Sequence, residues 1–140
     1  MNCIEFVEGP ISLEYISRLT ETYSNQAGAM LSFYGRVREE HVRNKKIVAI
    51  EFETDAEMSQ IALNDMLQDY DEKQLIRLSV LHSLGRVERG EICFVIILET
   101  AHRKEAFKIL PDFISDFKAR IPIFGKELFD DDTYVWKVNK

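Results

Sequence analysis

The chain has 140 residues, of which 46% are hydrophobic and 30% charged, a balance typical of one globular domain spanning residues 1–140. Its formal net charge of −6 excludes a general nucleic-acid or anionic-membrane binder, because both classes need a basic surface. The N-terminus has no signal-peptide pattern and the longest apolar run, at 92–98, is too short to span a bilayer, so we expect a cytoplasmic protein.

Strand and helix signals alternate along the chain. Apolar alternation or a continuous apolar run predicts strands at residues 3–7, 29–38, 47–53, 75–82, 91–100 and 133–138. Helical spacing predicts three helices, which begin after Ser12, after Thr54 and near residue 102. The order β-α-β-β-α-β-β-α-β, with short connections, favours an α+β fold with a mostly antiparallel sheet and helices packed on it.

Each predicted helix has an apolar face that would pack on the sheet. In the first helix this face consists of Leu13, Ile16, Leu19 and Tyr23. Thr54 and Glu57 have the spacing of a capping box, which would open the second helix. The apolar face of that helix consists of Met58, Ile61, Ala62, Met66 and Tyr70. The stripe of the third helix consists of Ala106, Leu110, Phe113 and Phe117. Pro111 within it predicts a kink, and Pro122 forbids its continuation.

The segment from 75 to 100 is interpreted as two strands joined by a turn. LGRVERG at 84–90 supplies Gly85 and Gly90 for that turn. The strand after it is apolar at nearly every position, which predicts a central strand covered on both faces. Cys93 within this strand is expected to be a small buried hydrophobe. Neither Cys93 nor Cys3 has metal-ligand spacing, and a reduced cytosolic location fits both.

Basic side chains gather at three places, of which the first two are strand ends. Arg36 and Arg38 share a strand face beside Gly35, and their fork-shaped donors could grip a phosphate or a carboxylate. The missing side chain of Gly35 would let a ligand or another backbone approach closely. His102 and Arg103 follow a strand and enter the first helical turn, where backbone N–H groups favour a bound anion.

The third place is the stretch RIPIFGKE at 120–127. Lys118 flanks the apolar stripe of the last helix just before it, and Pro122 turns the chain back. Lys126 could therefore return toward Lys118. A lysine held near other cations can act as a nucleophile or a base, which makes this stretch a candidate catalytic segment.

A structural interpretation stands beside each functional one. The charges of residues 39–46 could keep a hairpin soluble or protect an edge strand from pairing. His102 and Arg103 could point into water, and Lys118 could cover apolar surface with its stem. The three histidines are isolated and no Gly-rich phosphate loop is present, so we expect neither a metal nor a cofactor.

Five blocks in a fixed order, followed by a final Tyr-Val-Trp, resemble one known family. The blocks are GAMLSFYGRVRE, FETDAEM, LHSLGRVERGE, TAHRKEAF and DFKARIPIFGKE. They are similar to the large, catalytic subunit of molybdopterin synthase, and the resemblance covers residues 28–136. Each block alone is weak, and the specificity comes from their order, the His-Arg junction and the Lys-x-x-x-Pro block.

The resemblance implies an α+β fold with a hammerhead-like subdomain and a homodimer at the centre of a heterotetramer. A small ubiquitin-like subunit would insert its C-terminal Gly-Gly tail, carried as a thiocarboxylate, into each large subunit. The enzyme would transfer sulfur from that tail to cyclic pyranopterin monophosphate, forming the dithiolene of molybdopterin in molybdenum cofactor biosynthesis.

The resemblance also implies which residues act. Lys118 and Lys126 would be catalytic, with Lys118 assisting attack on the tail or handling a covalent intermediate. The substrate-binding residues would be Arg36, Val37, Arg38, His102, Arg103, Gly125 and Glu127. Within that set, the arginines and the histidine would hold phosphate and polarise developing charge.

The chain departs from the family pattern at one of these positions. Gly125 stands where the family has a lysine, so that only Lys126 remains of an expected pair. Glycine reaches backbone conformations that are closed to lysine, and Lys126 could substitute if the backbone turns differently. Besides the sulfur-transferring enzyme, two alternatives stay open: a non-catalytic or weakly active module that binds the ubiquitin-like subunit, and an unrelated anion-binding scaffold.

Overall fold

The computed structural model describes residues 2–22, 24–71 and 74–138. In this part of the chain the strands are β1 Asn2–Glu8, β2 Ala29–Arg36, β3 His41–Val42, β4 Lys45–Thr54, β5 Leu75–Glu88, β6 Ile92–Thr100, β7 Ile123–Phe129 and β8 Tyr134–Trp136. The helices are α1 Leu13–Thr20, α2 Ala56–Leu67 and α3 Arg103–Arg120. The predicted α+β fold with a mostly antiparallel sheet is confirmed. No described helix is both long and apolar enough to cross a membrane.

The sheet follows the order β2-β6-β5-β4-β7-β8, with β3 paired to β4 and β1 paired to β5. β1 runs parallel to β5, and every other pair is antiparallel. β5 joins the two halves of the sheet, because its residues 75–82 pair with β6 and its residues 85–88 pair with β4. The sheet thereby brings β2 and β6 on one side and β7 and β8 on the other around a shared strand.

The predicted turn at 84–90 is wrong over most of its length. β5 continues through Gly85, which has a φ of +74°, and ends only at Glu88. Glycine adopts this left-handed conformation at no steric cost, so the strand changes direction there without ending. Gly90, with a φ of +85°, lies in the short turn before β6.

β6 is the central strand that its composition predicts. It lies between β2 and β5, and all its residues from Cys93 to Thr100 are buried. Cys93 is a free thiol with 8% of its surface exposed, as expected for a small buried hydrophobe. The core of the protein therefore continues on both faces of this strand.

The helix starts are partly as predicted. Ser12 caps α1, its hydroxyl accepting a hydrogen bond from the backbone N–H of Tyr15 at 3.1 Å. The capping box at the start of α2 is wrong by one residue, because Asp55 is the cap and accepts from the backbone N–H of Met58 at 3.1 Å. The hydroxyl of Thr54 instead donates to the carbonyl of Pro122 at 2.7 Å, which ties the end of β4 to the residue before β7.

The buried faces of the helices differ from the predicted ones in two of three cases. In α1, Ile16 is buried but Leu13 is 65% exposed, and the predicted Tyr23 lies outside the described residues. The buried residues of α2 are Ser59, Leu63 and Met66. Met58 and Ile61 of that helix are exposed, so their assignment to its apolar face is wrong. The buried residues of α3 are Ala106, Phe113 and Phe117, and the helix runs without a break through Pro111.

β7 is an element that the sequence did not predict. Residues 123–129 pair with β4 on one side and with β8 on the other. The observed order therefore has two more strands than the predicted one, β3 and β7, and the final strand is shorter than 133–138. Because α3 ends directly before β7, the last helical turn lies beside this strand.

Candidate functional site

A cavity of about 540 Å³ opens at the C-terminal end of α3, next to β7 and the segment after β8. Six large aromatic side chains line it: Phe33, Phe52, Phe94, Phe117, Phe124 and Trp136. The rings contact one another: Phe94 stacks on Phe117 with a centroid distance of 4.9 Å, and Phe33 meets the edge of Phe94 at 5.8 Å. Because most of these rings belong to the core, core packing fixes the shape of the cavity.

His82 completes this wall as a neutral side chain. Its ring lies 4.9 Å from the centroid of Phe52 and 5.4 Å from that of Phe94. Burial lowers the pKa of His82 to about 4, because the charged imidazolium is poorly solvated there. Its Nδ1 donates to the Ser83 carbonyl at 2.8 Å, since a carbonyl can only accept. The described residues contain no group of three or more His, Cys, Asp or Glu side chains that could hold a metal ion.

Four basic residues line the cavity: Arg36, Lys118, Arg120 and Lys137. Lys118 is exposed on the last turn of α3, and Lys137 is exposed just after β8. Arg120 has a structural role, because its guanidinium binds carboxylates of α2, of the turn after α2 and of its own helix. These partners are Asp69 at 2.8 Å, Asp65 at 3.2 Å and Asp116 at 3.6 Å.

A second hollow adjoins the cavity and is strongly basic. It is lined by Arg36, Val37, Arg38, Glu39, Lys46, Arg89 and Gly90, and we call it the cationic groove. Glu39 is its one carboxylate and binds Lys46 at 2.6 Å and Arg89 at 3.2 Å. The hydrogen bond from Lys46 holds the pKa of Glu39 below its usual range. Arg36 lines both hollows, so the cavity and the cationic groove adjoin each other at this side chain.

The end of β2 positions the arginines of the groove. The pairing of β2 with β6 shifts register between Gly35 and Arg36. A side chain at Gly35 would bring its Cβ within 3.1 Å of the Cβ of Phe94, so glycine permits the close approach expected from the sequence. Arg36 donates from Nε to the Gly90 carbonyl at 2.7 Å. Val37 is 1% exposed, and its carbonyl accepts from the Gly90 N–H at 2.7 Å. Its backbone therefore links two segments that line the groove.

The two predicted anion-binding places, one with Arg38 and one with His102 and Arg103, lie in different regions of the structure. Arg38 lies in the cationic groove, exposed and 3.2 Å from the carboxylate of Glu40. His102 is the N-cap of α3, makes no side-chain capping hydrogen bond, and is exposed together with Arg103. Lys118 follows His102 by sixteen residues of helix, which is about 24 Å at 1.5 Å per residue. Within one chain, His102 and Arg103 are therefore far from Lys118 and the cavity.

Gly125 and Lys126 are consecutive residues of β7, but only Gly125 lines the cavity. Gly125 is buried. The Nζ of Lys126 lies 5.1 Å from the ring centroids of both Tyr134 and Trp136. Glu127 is half-buried within β7. The structure thus does not bring Lys126 together with Lys118 in the cavity.

The sequence reasoning missed Lys137 as a site residue. It follows the Tyr-Val-Trp that closes the resemblance, and none of the quoted blocks contains it. Its place depends on the pairing of β8 with β7, and β7 has no clear strand signal. Recognising residues 123–129 as a strand would have placed Lys137 next to Gly125, since its N–H donates to the Gly125 carbonyl at 2.7 Å.

Known proteins are similar to this chain in sequence and in fold. The family model described as MoaE protein matches residues 6–120. The molybdopterin synthase catalytic subunit of Rattus norvegicus is 30% identical over 138 residues, covering 98% of this chain and 68% of the rat protein. The crystal structure of molybdopterin synthase from Staphylococcus aureus superposes with a TM-score of 0.78 at 25% identity, covering 96% of both chains.

A further solved structure has the same fold. It is a complex of subunits 1 and 2 of the molybdopterin-converting factor from Helicobacter pylori, with a TM-score of 0.79 at 22% identity. The superposition covers 98% of this chain and 91% of that chain. Since the family model matches well over half of the 140 residues, the chain belongs to the MoaE protein family.

Proposed function

We propose that the chain is the catalytic subunit of a molybdopterin synthase and that the two adjoining hollows form the site that transfers sulfur to cyclic pyranopterin monophosphate. One observation carries this assignment: Arg36 joins an aromatic cavity that contains Lys118 to a groove with four basic side chains. Flat aromatic walls suit a planar pterin ring, and fork-shaped guanidinium donors suit a phosphate. The two hollows therefore match the two chemical halves of the substrate.

The sulfur donor in this proposal is the thiocarboxylate at the C-terminus of a small ubiquitin-like subunit. A related assembly from Helicobacter pylori contains two different subunits, which supports a partner of this kind. A thiocarboxylate carries a negative charge, and Lys118 stands exposed at the cavity.

Lys118 acts by stabilising charge as sulfur moves from the tail to the pterin. Its ammonium orients the thiocarboxylate. It also balances the negative charge that develops as the pterin–sulfur bond forms and water cleaves the bond between sulfur and the carbonyl carbon of the tail, which is left as a carboxylate. Lys126 is less well placed for this role, because its Nζ lies between the rings of Tyr134 and Trp136.

The predicted roles of His102 and Arg103 require a second copy of the chain. These residues lie about 24 Å along α3 from Lys118, so one protomer cannot place them on the same substrate. In a homodimer, the exposed N-terminal end of α3 from one protomer would meet the site of its partner. Its free backbone N–H groups would add to the binding of an anion there.

The alternative of a non-catalytic binding module is less well supported. That alternative rested on the loss of a lysine at position 125. A Cβ at Gly125 would lie 3.0 Å from Cγ2 of Ile50 and 3.3 Å from Cε1 of Phe52, so packing itself favours glycine there. We further propose that the chain works as one domain, residues 1–140, in the cytoplasm.

Reconstitution tests the proposed function directly. The chain is mixed with a thiocarboxylated small subunit and cyclic pyranopterin monophosphate, and the dithiolene product is measured. Lys118→Ala should abolish product while the two subunits still associate, because the exposed side chain supports no core packing. Unchanged product in that variant would remove Lys118 from the mechanism.

The same assay separates the enzyme from its alternatives. Arg38→Ala should raise the KM for the pterin about tenfold or more, as expected for one lost charge-assisted hydrogen bond. Tight association without any product from the unaltered chain would favour the binding module. Failure of the small subunit to bind at all would favour an unrelated anion-binding scaffold.

A further inference from the structure

Lys137 follows β8 and faces the same cavity as Lys118. Its backbone N–H donates to the carbonyl of Gly125 at 2.7 Å, which continues the pairing of β7 with β8 beyond Lys126 and Trp136. Side chains of paired strands alternate between the two faces. Lys137 therefore shares the face of Gly125, whereas Lys126 and Trp136 share the opposite one. Trp136 also lines the cavity, but Lys126 does not.

The electrostatic effect of Lys137 places its charge close to the cavity wall. After burial, which is the main cause, the charge of Lys137 further lowers the pKa of His82. Burial raises the pKa of Cys93, and the charges of Lys137 and Lys118 both oppose that rise. Two ammonium groups from different elements thus act on one buried thiol. Like charges that share a hollow repel each other, and a bound anion between them relieves that repulsion.

The packing around Gly125 explains why a cation reaches this face from residue 137. A side chain at position 125 would press on Ile50 and Phe52, with Cβ contacts of 3.0 and 3.3 Å. Gly125 itself lines the cavity with its backbone. A lysine on the neighbouring strand segment can extend into the cavity without displacing the core.

We propose that Lys137 is the second ammonium of the cavity and that, paired with Lys118, it binds the anionic group of the guest. This inference rests on the proposed function for the identity of that guest. Two sources share the required chemistry, the phosphate of cyclic pyranopterin monophosphate and the thiocarboxylate of the small subunit. Lys137 contacts whichever of the two anions lies between the ammonium groups.

Binding measurements on variants test this assignment without relying on turnover. Calorimetry gives the Kd of cyclic pyranopterin monophosphate in one arm and of the thiocarboxylated small subunit in the other. Lys137→Ala should weaken one of them about 10- to 100-fold, and the arm that changes identifies the anion. Lys137→Gln should weaken the same arm, and Lys137→Arg should keep most of the affinity. Lys108→Ala is the matched control, because Lys108 is exposed on α3 outside the cavity.

Two results would overturn the assignment of Lys137. One is an unchanged Kd in both arms for Lys137→Ala and Lys137→Gln. The other is a loss of affinity in Lys126→Ala with none in the Lys137 variants. That result would assign anion binding to Lys126, on the opposite face of β7. Turnover of the unaltered chain is measured separately. Absence of product there contradicts the proposed sulfur transfer, while the two Kd values still decide the role of Lys137.

Discussion

His82 should make the stability of the protein depend on pH below neutrality. Its pKa is about 4 in the folded chain, against an ordinary value of 6.5, mainly because the ring is buried. Between these values the unfolded chain binds a proton that the folded chain does not, so stability falls as pH falls from about 6.5 to about 4. A difference of about 2.5 pKa units corresponds to about 3 kcal/mol of unfolding free energy.

The substitution His82→Asn removes the titration and can keep the hydrogen bond to the Ser83 carbonyl. Urea unfolding at a series of pH values from 7 to 4.5 gives the free energy of unfolding of each protein. The unaltered chain should lose about 2–3 kcal/mol more than the variant over this range. Asp131, whose pKa is lowered to about 2 by its hydrogen bonds with Thr133 and Lys45, titrates below this window and affects both proteins equally.

The control for this experiment is His41→Asn, because His41 is exposed on β3. That variant should keep the pH dependence of the unaltered chain. Parallel loss of stability in the unaltered chain and in His82→Asn would refute the reasoning, since it would mean that His82 titrates normally. The wall of the cavity would then be open to water at this residue.

Three further predictions concern single contacts. Gly125→Ala should destabilise the chain by about 1–3 kcal/mol in urea unfolding, because its Cβ would press on Ile50. An unchanged free energy of unfolding would mean that the sheet shifts to accommodate the methyl group. Ser12→Ala should cost about 1 kcal/mol by the same measurement, as the loss of a helix cap does, and Ser12→Gly should cost less. Co-expressed Lys118→Ala and Arg103→Ala chains should regain part of the product that each lacks alone; no recovery would contradict a site shared between two protomers.

The fold was predictable where the burial pattern of an element is visible in the sequence. β6 is apolar almost throughout, and burial on both faces follows directly from that composition. β7 was not predictable in the same way. Its charged pair, Lys126 and Glu127, and its glycine resemble a turn, and only pairing with β4 and β8 makes the segment a strand. Tertiary pairing overrode a weak local signal.

The site was predictable in its residue types but not in its geometry. The sequence singled out Arg36, Arg38 and Lys118, and the structure places them around two adjoining hollows. It could not separate Gly125 from Lys126, because strand alternation matters only once β7 is known to be a strand. It also could not show that His102 lies a full helix length from Lys118, because residue types alone do not give the distance between two side chains.

Net charge did not exclude an anion site in this acidic protein, because the effective field is local. Exposed charges are screened beyond about 8–10 Å at physiological salt, so a guest in the cationic groove responds chiefly to the groove itself. Three aspartates surround Arg120 and neutralise it where it bridges α2 and α3. In the groove the balance is reversed: four basic side chains line it together with the carboxylate of Glu39, and Glu40, which does not line it, pairs with Arg38. The negative net charge that disfavours nucleic acids therefore does not prevent a small anion from binding between these basic side chains.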